Sequence, residues 1–335
     1  MNLMDLDKID SRKMYQTYDR WPEIAEQSYQ QEFSKPEFKN IDHVIFTGMG
    51  GSGTIGDVIS SILSKTDIHV SVVKGYLLPK TVDANTLIVT TSISGNTKET
   101  LTILNHSLKT NAKIIALSSG GKMQEFSEKN KIPFFKMEQI QSPRVSFFGF
   151  LYSALNILEE IISIKKSDVI ESLTKLEVIK KQIWSSNLNN NNPALDLANW
   201  ITDIPAIYYP AGLQAAAIRF KNSMQENAKS HIIAEDVIEA CHNGIVPWEK
   251  SSNIQPILIQ GKDDYIKTKE RWVVLKEFFQ ENNIEYKEVF SVDGNILTKI
   301  VCLIYSLDYT SIYRAILSKL DPSPVQSIDY IKKRI

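Results

Sequence analysis

The chain has 335 residues, long enough for one large domain or two ordinary ones, and it carries 38 Lys and Arg residues against 39 Asp and Glu residues. A net charge of −1 excludes a strong field that would attract nucleic acid or a membrane surface, so we expect a small-molecule partner. Cys241 and Cys302 are too few for a disulfide framework. The amino-terminal segment MNLMDLDKID lacks the apolar core of a secretory signal, and no apolar run predicts a membrane helix, so we expect a cytoplasmic protein.

Short β-rich runs alternate with longer helical patterns in the first half of the chain. This alternation predicts a parallel sheet with helices on its faces. The predicted strands are 43–48, 68–73, 86–91, 113–119 and 132–137. The predicted helices are 54–64, 97–109, 121–129, 145–163 and 167–185.

The stretch SSNLNNNNPALD, residues 185–196, interrupts this pattern with asparagines followed by Pro193. Asn and Pro favour turns and break both helix and sheet, so we predict a domain boundary here. A long surface loop within one domain is the alternative. The predicted division is an amino-terminal domain over 1–165, a helix and Asn-rich linker over 166–195, and a carboxy-terminal domain over 196–335.

The second half repeats the alternation of strands and helices. Strands are predicted at 204–210, 255–261 and 284–290, and helices at 212–229, 265–283 and 296–319. A turn and a final helix are predicted in DPSPVQSIDYIKKRI. The predicted fold class is therefore α/β, with two three-layer αβα domains, each built on a mainly parallel sheet.

Glycines cluster directly after the first predicted strand. Gly48, Gly50 and Gly53 fit the G-x-G-x-x-G fingerprint of dinucleotide-binding proteins. That fingerprint also needs an acidic residue at the end of the second strand. Asp67 stands before that strand, which ends at Lys74, so the dinucleotide fingerprint is incomplete.

Hydroxyl side chains follow the third predicted strand, at the start of a helix, in the segment SISGNT, residues 92–97. Free backbone N–H groups, the helix dipole and hydroxyl donors together favour a phosphate group. A Ser/Thr-rich helix cap with no ligand is the alternative, and the glycine loop of the same sheet makes it less favoured. The predicted phosphate-binding residues are Gly50, Gly51, Ser52, Ser92, Ser94 and Thr97.

The loops GMGGSG and SISGNTKET resemble the sugar isomerase (SIS) domain, whose members bind phosphosugars at these two loops. Four further segments follow in order: SPRVSFFGF, RFKNSMQENAKS, EACHNGIV and DPSPVQSIDYIKK. With them the chain is similar, over most of its length, to the bifunctional phosphoglucose/phosphomannose isomerase family. The resemblance implies two SIS-type αβα domains and a homodimer. It also implies that the protein interconverts glucose 6-phosphate, and also mannose 6-phosphate, with fructose 6-phosphate. This reaction would pass through a cis-enediol and need no cofactor.

The same resemblance implies roles for individual residues. Glu226 matches the carboxylate that moves a proton between C1 and C2, Arg144 the guanidinium beside the enediolate, and His242 the ring-opening histidine. Lys332, with Lys333 as the adjacent alternative, matches the lysine of the terminal helix. Without the resemblance, Glu226 and Arg144 would be read as solvated helix charges.

Two features bear on specificity. Ser323 matches the small hydroxyl residue that leaves room for the sugar C2 hydroxyl in either configuration. Gly244 departs from the family pattern, because the position after His-Asn is often acidic. No metal site is predicted, since the chain has no His pair at i, i+4 and no Cys-x-x-Cys.

Two other functions fit part of the sequence. A non-catalytic phosphosugar-binding regulator would keep the hydroxyl-rich cradle but has no need of Glu226 and His242. A nicotinamide-dependent dehydrogenase would rest on the incomplete glycine fingerprint alone.

Overall fold

The computed structural model describes residues 1–189 and 191–334; Asn190, in the predicted linker, and Ile335, at the end of the predicted carboxy-terminal domain, lie outside the described residues. The chain forms two compact units. The amino-terminal unit contains Arg20–Thr174 and Asn295–Thr298; the carboxy-terminal unit contains Met1–Asp19, Lys175–Gly294 and Lys299–Ile335. Residues 1–19 thus group with the second half of the chain, whereas the sequence predicts them in a domain over 1–165. The division into domains stays a prediction.

Three short helices that the sequence analysis did not identify open the chain: α1 (Leu3–Ile9), α2 (Met14–Asp19) and α3 (Trp21–Tyr29). A capping box starts α1, because the side chains of Asn2 and Asp5 each accept a hydrogen bond from the other residue's backbone N–H, at 3.1 and 2.8 Å. These helices have 7, 6 and 9 residues, fewer than the sequence window in which helical periodicity is recognised, which explains why they were missed.

Apart from α3, the amino-terminal unit is built around a five-stranded sheet in the order β2-β1-β3-β4-β5. Its elements are β1 (His43–Thr47), α4 (Gly51–Leu63), β2 (His69–Val73), β3 (Thr86–Ser92), α5 (Lys98–Ser107), β4 (Lys113–Ser118), α6 (Gly121–Lys129), β5 (Phe134–Lys136) and α7 (Phe147–Leu158). All neighbouring strands are parallel. Every residue of β1 and β3 is buried, as expected for central strands covered by helices on both faces.

An aromatic contact fixes α3 against α7. The ring of Trp21 stacks on Phe148 with centroids 4.3 Å apart, and its indole N–H donates to the carbonyl of Val145 at 2.8 Å. Every residue of α7 is buried, so this helix is a core element of the unit.

The remaining elements lie mostly in the carboxy-terminal unit. They are α8 (Lys166–Ile183), α9 (Pro193–Trp200), β6 (Ile204–Tyr209), α10 (Gln214–Ser223), β7 (Ile233–Asp236), α11 (Val237–Ala240), β8 (Ile254–Gln260), α12 (Ile266–Glu281), β9 (Lys287–Phe290), α13 (Ile296–Leu317) and α14 (Gln326–Lys332). The second sheet is also parallel, in the order β7-β6-β8-β9. The predicted fold class, α/β with a parallel sheet in each half, is confirmed.

Helix α13 corrects the expectation that no segment is long and apolar enough for a membrane span. It has 22 residues and a mean hydropathy of 1.3 over its most apolar window. Among the described residues, it is the helix that is long and apolar enough to cross a membrane by length and composition. Polar residues such as Asp308 and Ser311 interrupt the run in the sequence. Since 83% of that window is buried inside the protein, α13 packs as a core helix.

His43 makes the stability of the amino-terminal unit depend on pH. Burial, and then the positive charge of His69, whose ring centroid lies 4.8 Å away, lower the pKa of His43. The unfolded chain therefore binds more protons at this residue than the folded chain, so the stability it contributes is present above its unfolded pKa and is lost as the pH falls below about 6.5.

We expect the melting temperature of H43Q to fall less than that of the wild type between about pH 7.5 and about pH 5.5. Differential scanning calorimetry measures this difference, and H231Q, at an exposed position, is the matched control that should follow the wild type. Equal pH dependence of H43Q and wild type would contradict the assignment.

Candidate active site

The two loops predicted to bind phosphate lie side by side at one edge of the first sheet. Strands β1 and β3 are parallel neighbours, with Thr47 opposite Thr90, so the segments that follow them leave the sheet at the same edge. This arrangement brings the six predicted phosphate-binding residues to one place. Carboxyl ends of adjacent parallel strands are where α/β proteins bind ligands.

The loop after β1 depends on glycine at two positions. Gly50 has φ 54° and ψ −125° and directly precedes α4, a conformation that other residues rarely adopt. A Cβ at Gly48 would lie 2.8 Å from the backbone carbon of Ser52, so only glycine allows the strand to pass this close to the first turn of α4. Ser52 is buried, and its Oγ accepts a hydrogen bond from the backbone N–H of Ile93 at 3.3 Å, which joins the two loops.

The loop after β3 is closed by its own hydroxyls. Ser92 Oγ donates to Thr97 Oγ1 at 3.0 Å, and Ser94 Oγ accepts from the backbone N–H of Asn96 at 3.3 Å. Thr97 is the N-cap of α5, so the free N–H groups of the first turn begin directly after it. The loop therefore presents hydroxyls and helix N–H groups together, the chemistry that suits a phosphate.

A third loop, after β4, supports the other two and was missed by the sequence analysis. Ser119 Oγ donates to the carbonyl of Ile93 at 2.7 Å, and Asn96 Oδ1 accepts from the backbone N–H of Lys122 at 3.2 Å. The glycine pair GG at 120–121 was the available signal, because both residues have positive φ.

The residue after β2 argues against a dinucleotide site. A dinucleotide fold needs a carboxylate there, but the chain has Lys74, whose Nζ lies 2.6 Å from Asp57 Oδ2 on α4. Burial raises the pKa of Asp57, and the charge of Lys74 partly opposes that rise. The ammonium group of Lys74 is therefore paired with Asp57.

Arg144 belongs to the same unit as the phosphate loops. It lies in the turn before α7 and is 8% exposed. Ser146 organises this turn: its Oγ accepts from the backbone N–H of Ile140 at 2.8 Å and contacts the carbonyl of Ser142 at 2.9 Å. A buried guanidinium in a well-ordered turn is suited to face a negative charge.

Glu226 lies in a π-helical turn, Met224–Ala228, that continues α10. Such turns are rare and frequently occur at functional sites. Lys229 ends the turn in the left-handed conformation, with φ 55°. Its Nζ donates to the carbonyls of Glu226 at 2.6 Å and Pro324 at 2.8 Å, and it is 3.3 Å from that of Pro322.

The Lys229 contacts hold the segment that contains Ser323 beside the turn of Glu226. Ser323 itself is 6% exposed, and its Oγ donates to Asp10 Oδ1 at 3.1 Å. Burial raises the pKa of Asp10, against the opposing hydrogen bonds from Tyr15 and Ser323. The hydroxyl predicted to sit beside the sugar C2 is thus bonded to a buried carboxyl group in this chain.

His242, Lys332 and Lys333 are exposed in the chain. His242 lies in the turn after α11, where its backbone N–H donates to the carbonyl of Glu239 at 2.9 Å. Lys332 is the last residue of α14, a helix in which no residue is buried.

The chain matches known protein families over both halves. Residues 37–139 match the SIS domain family, and residues 190–335 match the family described as the bacterial phospho-glucose isomerase C-terminal SIS domain. A Caldicellulosiruptor bescii protein named bifunctional phosphoglucose/phosphomannose isomerase is 30% identical over 312 residues, which cover 89% of this chain and 90% of that protein. The chain belongs to the bifunctional phosphoglucose/phosphomannose isomerase family.

Two further similarities extend this result. A Sulfolobus acidocaldarius protein named D-glucosamine-6-phosphate 4-epimerase is 28% identical over 251 residues, covering 73% of this chain and 77% of that protein. The C-terminal domain of glucosamine-fructose-6-phosphate aminotransferase from Francisella tularensis aligns with a TM-score of 0.67 at 16% identity, covering 92% of this chain and 96% of that one. At this identity the second likeness shows a shared fold.

The departure at Gly244 from the isomerase family pattern has a structural counterpart. A Cβ at Gly244 would lie 2.3 Å from Oε2 of Glu235, which comes from β7. Burial, and then the nearby charge of Glu239, raise the pKa of Glu235. A carboxyl group therefore occupies the space beside this turn, although it comes from a different element.

Across residues 1–189 and 191–334, no group of three or more His, Cys, Asp and Glu residues is arranged to hold a metal ion.

Gly95 offers a direct test of the phosphate-loop geometry. It has φ 68°, and a Cβ there would lie 1.8 Å from the backbone oxygen of Gly120, a contact that no side-chain rotation relieves. We expect G95A to lose about 2 to 4 kcal/mol of unfolding free energy, measured by urea denaturation. G75A is the matched control, because nothing lies within 4 Å of its added Cβ, and it should stay within about 0.5 kcal/mol of the wild type. Equal stability of the two variants would show that the loops are not packed in this way.

Proposed function

We propose that this protein is an aldose-ketose isomerase that interconverts glucose 6-phosphate, and also mannose 6-phosphate, with fructose 6-phosphate through a cis-enediol. The observation that carries the proposal is the isomerase relative that shares 30% identity over 89% of the chain. The paired loops at the carboxyl edge of β1 and β3 support it, because they suit a phosphate monoester and lack the carboxylate that a dinucleotide requires.

The phosphate group of the sugar would be held by the loops after β1 and β3. Backbone N–H groups at the starts of α4 and α5 face an anion favourably, and the hydroxyls of Ser52, Ser94 and Thr97 supply further hydrogen bonds. The phosphate group takes no part in the reaction. Its binding would hold the sugar in place and so position the reacting carbons.

The proton transfer is assigned to Glu226. In the open-chain aldose its carboxylate would remove the proton from C2 and return it to C1, and the reverse for the ketose. Arg144 would stabilise the negative charge on the enediolate oxygen, since a guanidinium keeps its charge at working pH. Opening and closing of the ring would fall to His242 and Lys332.

A second candidate activity is epimerisation of an amino sugar phosphate at C4. The relative named D-glucosamine-6-phosphate 4-epimerase, at 28% identity, favours it as the alternative. The two activities share the phosphate anchor and differ in the carbon at which stereochemistry changes.

Incubation with fructose 6-phosphate in heavy water, without added metal, separates these functions. We expect glucose 6-phosphate and mannose 6-phosphate with deuterium at C2, detected by NMR, because the enediol exchanges its carbon-bound proton. D-glucosamine 6-phosphate, supplied in a parallel reaction, should keep its C4 configuration. Binding of fructose 6-phosphate without turnover would instead indicate a regulator.

The variant E226Q should lower kcat by about 10²- to 10⁴-fold, because a neutral amide cannot accept the carbon-bound proton. E281Q, at an exposed position on α12, is the matched control and should turn over like the wild type. Wild-type kcat in E226Q would remove Glu226 from the mechanism.

We further propose that the protein works as a homodimer in which His242 serves the site of the partner subunit. The exposure of His242 within its own chain supports this arrangement, as does membership of the family. A shared site of this kind requires two copies for activity.

Complementation between two inactive variants tests the shared site. Co-expressed E226Q and H242N should recover about one quarter of wild-type activity, because half of the dimers are mixed and each mixed dimer has one intact site. Co-expression of H242N with the double variant E226Q/H242N is the control and should recover none. No recovery in the first pair would place His242 in the site of its own chain.

A further inference from the structure

A buried ion pair lies directly behind the π-helical turn of Glu226. Arg219 on α10 is 3% exposed and Asp308 on α13 is fully buried. Two guanidinium nitrogens bond to Asp308 Oδ2, Nη2 at 2.7 Å and Nε at 3.1 Å. Burial is the largest single effect and would lower the pKa of Arg219, but the charge and hydrogen bond of Asp308, together with smaller contributions from neighbouring groups, raise it.

The same carboxylate accepts two further hydrogen bonds. Ser223 Oγ, on the last residue of α10, donates to Asp308 Oδ1 at 2.5 Å, and Tyr18 Oη donates to Oδ2 at 3.4 Å. Removing both charges from water carries a large desolvation cost, and an apolar replacement of such a pair is often neutral or stabilising. Stability alone therefore does not explain this ion pair, and its position beside the turn of Glu226 suggests a role in function.

The pair and its neighbours anchor the turn of Glu226 on both sides. Arg219 and Ser223 hold the end of α10, and Asn227 Nδ2, on the residue after Glu226, donates to Ser311 Oγ at 2.8 Å. Ser311 in turn donates to the carbonyl of Asp308 at 2.6 Å. One turn of α13 thus contacts the residues before and after the catalytic carboxylate.

Arg219 and Glu226 lie on one continuous helical stretch, because the π-helical turn Met224–Ala228 directly follows α10. The charged groups around the turn include Arg219 on α10, Asp308 on α13 and Lys229, whose ammonium bonds the backbone carbonyl of Glu226.

We propose that the buried Arg219–Asp308 pair positions Glu226 by holding the π-helical turn. Arg219 and Asp308 are positioning residues in this proposal and do not touch substrate. The proposal rests on the proposed function, in which Glu226 moves the proton.

The variant D308N tests the role of the pair. It keeps the shape and an acceptor for Arg219 but removes the charge that holds the guanidinium, so the turn of Glu226 should lose part of its support. We expect kcat to fall about tenfold with a smaller change in KM.

The variant S223A is the matched control for D308N. It removes a hydrogen bond to the same carboxylate and leaves both charges in place, so its kcat should fall less than that of D308N. If D308N loses no more activity than S223A, the pair is structural and the proposal is wrong.

A second variant decides the question if D308N does not fold. R219K keeps the charge but loses the two-pronged contact with Asp308, and we expect about a tenfold fall in kcat with KM nearly unchanged. Wild-type kcat in R219K would overturn the proposal.

A measurement without turnover separates this proposal from the proposed function. The carboxyl carbon resonance of Glu226, assigned by its loss in E226Q, reports the surroundings of this group directly. In D308N, or in R219M if D308N does not fold, the resonance should move from its wild-type position even if no sugar phosphate is converted. An unmoved resonance overturns the proposal, whereas lack of isomerase activity in the wild type overturns only the function.

Discussion

The parallel pairing of β1 with β3 is the constraint on which the proposed phosphate site depends. Because the two strands run side by side with Thr47 opposite Thr90, the glycine loop and the hydroxyl loop leave the sheet at one edge. Each loop alone would be an ordinary start of a helix. Together they present two helix N-termini to the same space, where their partial positive charges add for an anion.

The backbone is closely packed at this edge. A Cβ at Gly48 would lie 2.8 Å from the backbone carbon of Ser52, and a Cβ at Gly95 would lie 1.8 Å from the backbone oxygen of Gly120. The hydrogen bond from Ile93 N–H to Ser52 Oγ then joins loops that are 41 residues apart in the sequence. A preorganised site of this kind loses little entropy on binding, which is the property that an anchor for substrate needs.

The carboxy-terminal unit differs from this, because Glu226, to which we assign the proton transfer, lies on an irregular turn. A π-helical turn leaves part of the helix hydrogen-bond pattern incomplete, so side chains must hold it. Lys229 does so through carbonyl oxygens on one side, and α13 does so through Asp308 and Ser311 on the other. The amino-terminal segment takes part as well, since Tyr18 and Asp10 bond to Asp308 and Ser323.

The sequence by itself determined the α/β class, most strands and long helices, and the family. Their signals are local: apolar runs such as 43–48 and 86–91 with glycines and hydroxyls directly after them. The short helices before residue 30 and strand β7 were missed, because the four residues IAED contain two acidic side chains and no apolar run. Only the tertiary structure decided that Ser323 bonds to Asp10, that Glu235 fills the space beside Gly244, and that Arg219 pairs with Asp308. These contacts join residues 9 to 313 positions apart, and no local pattern encodes which buried charge meets which partner.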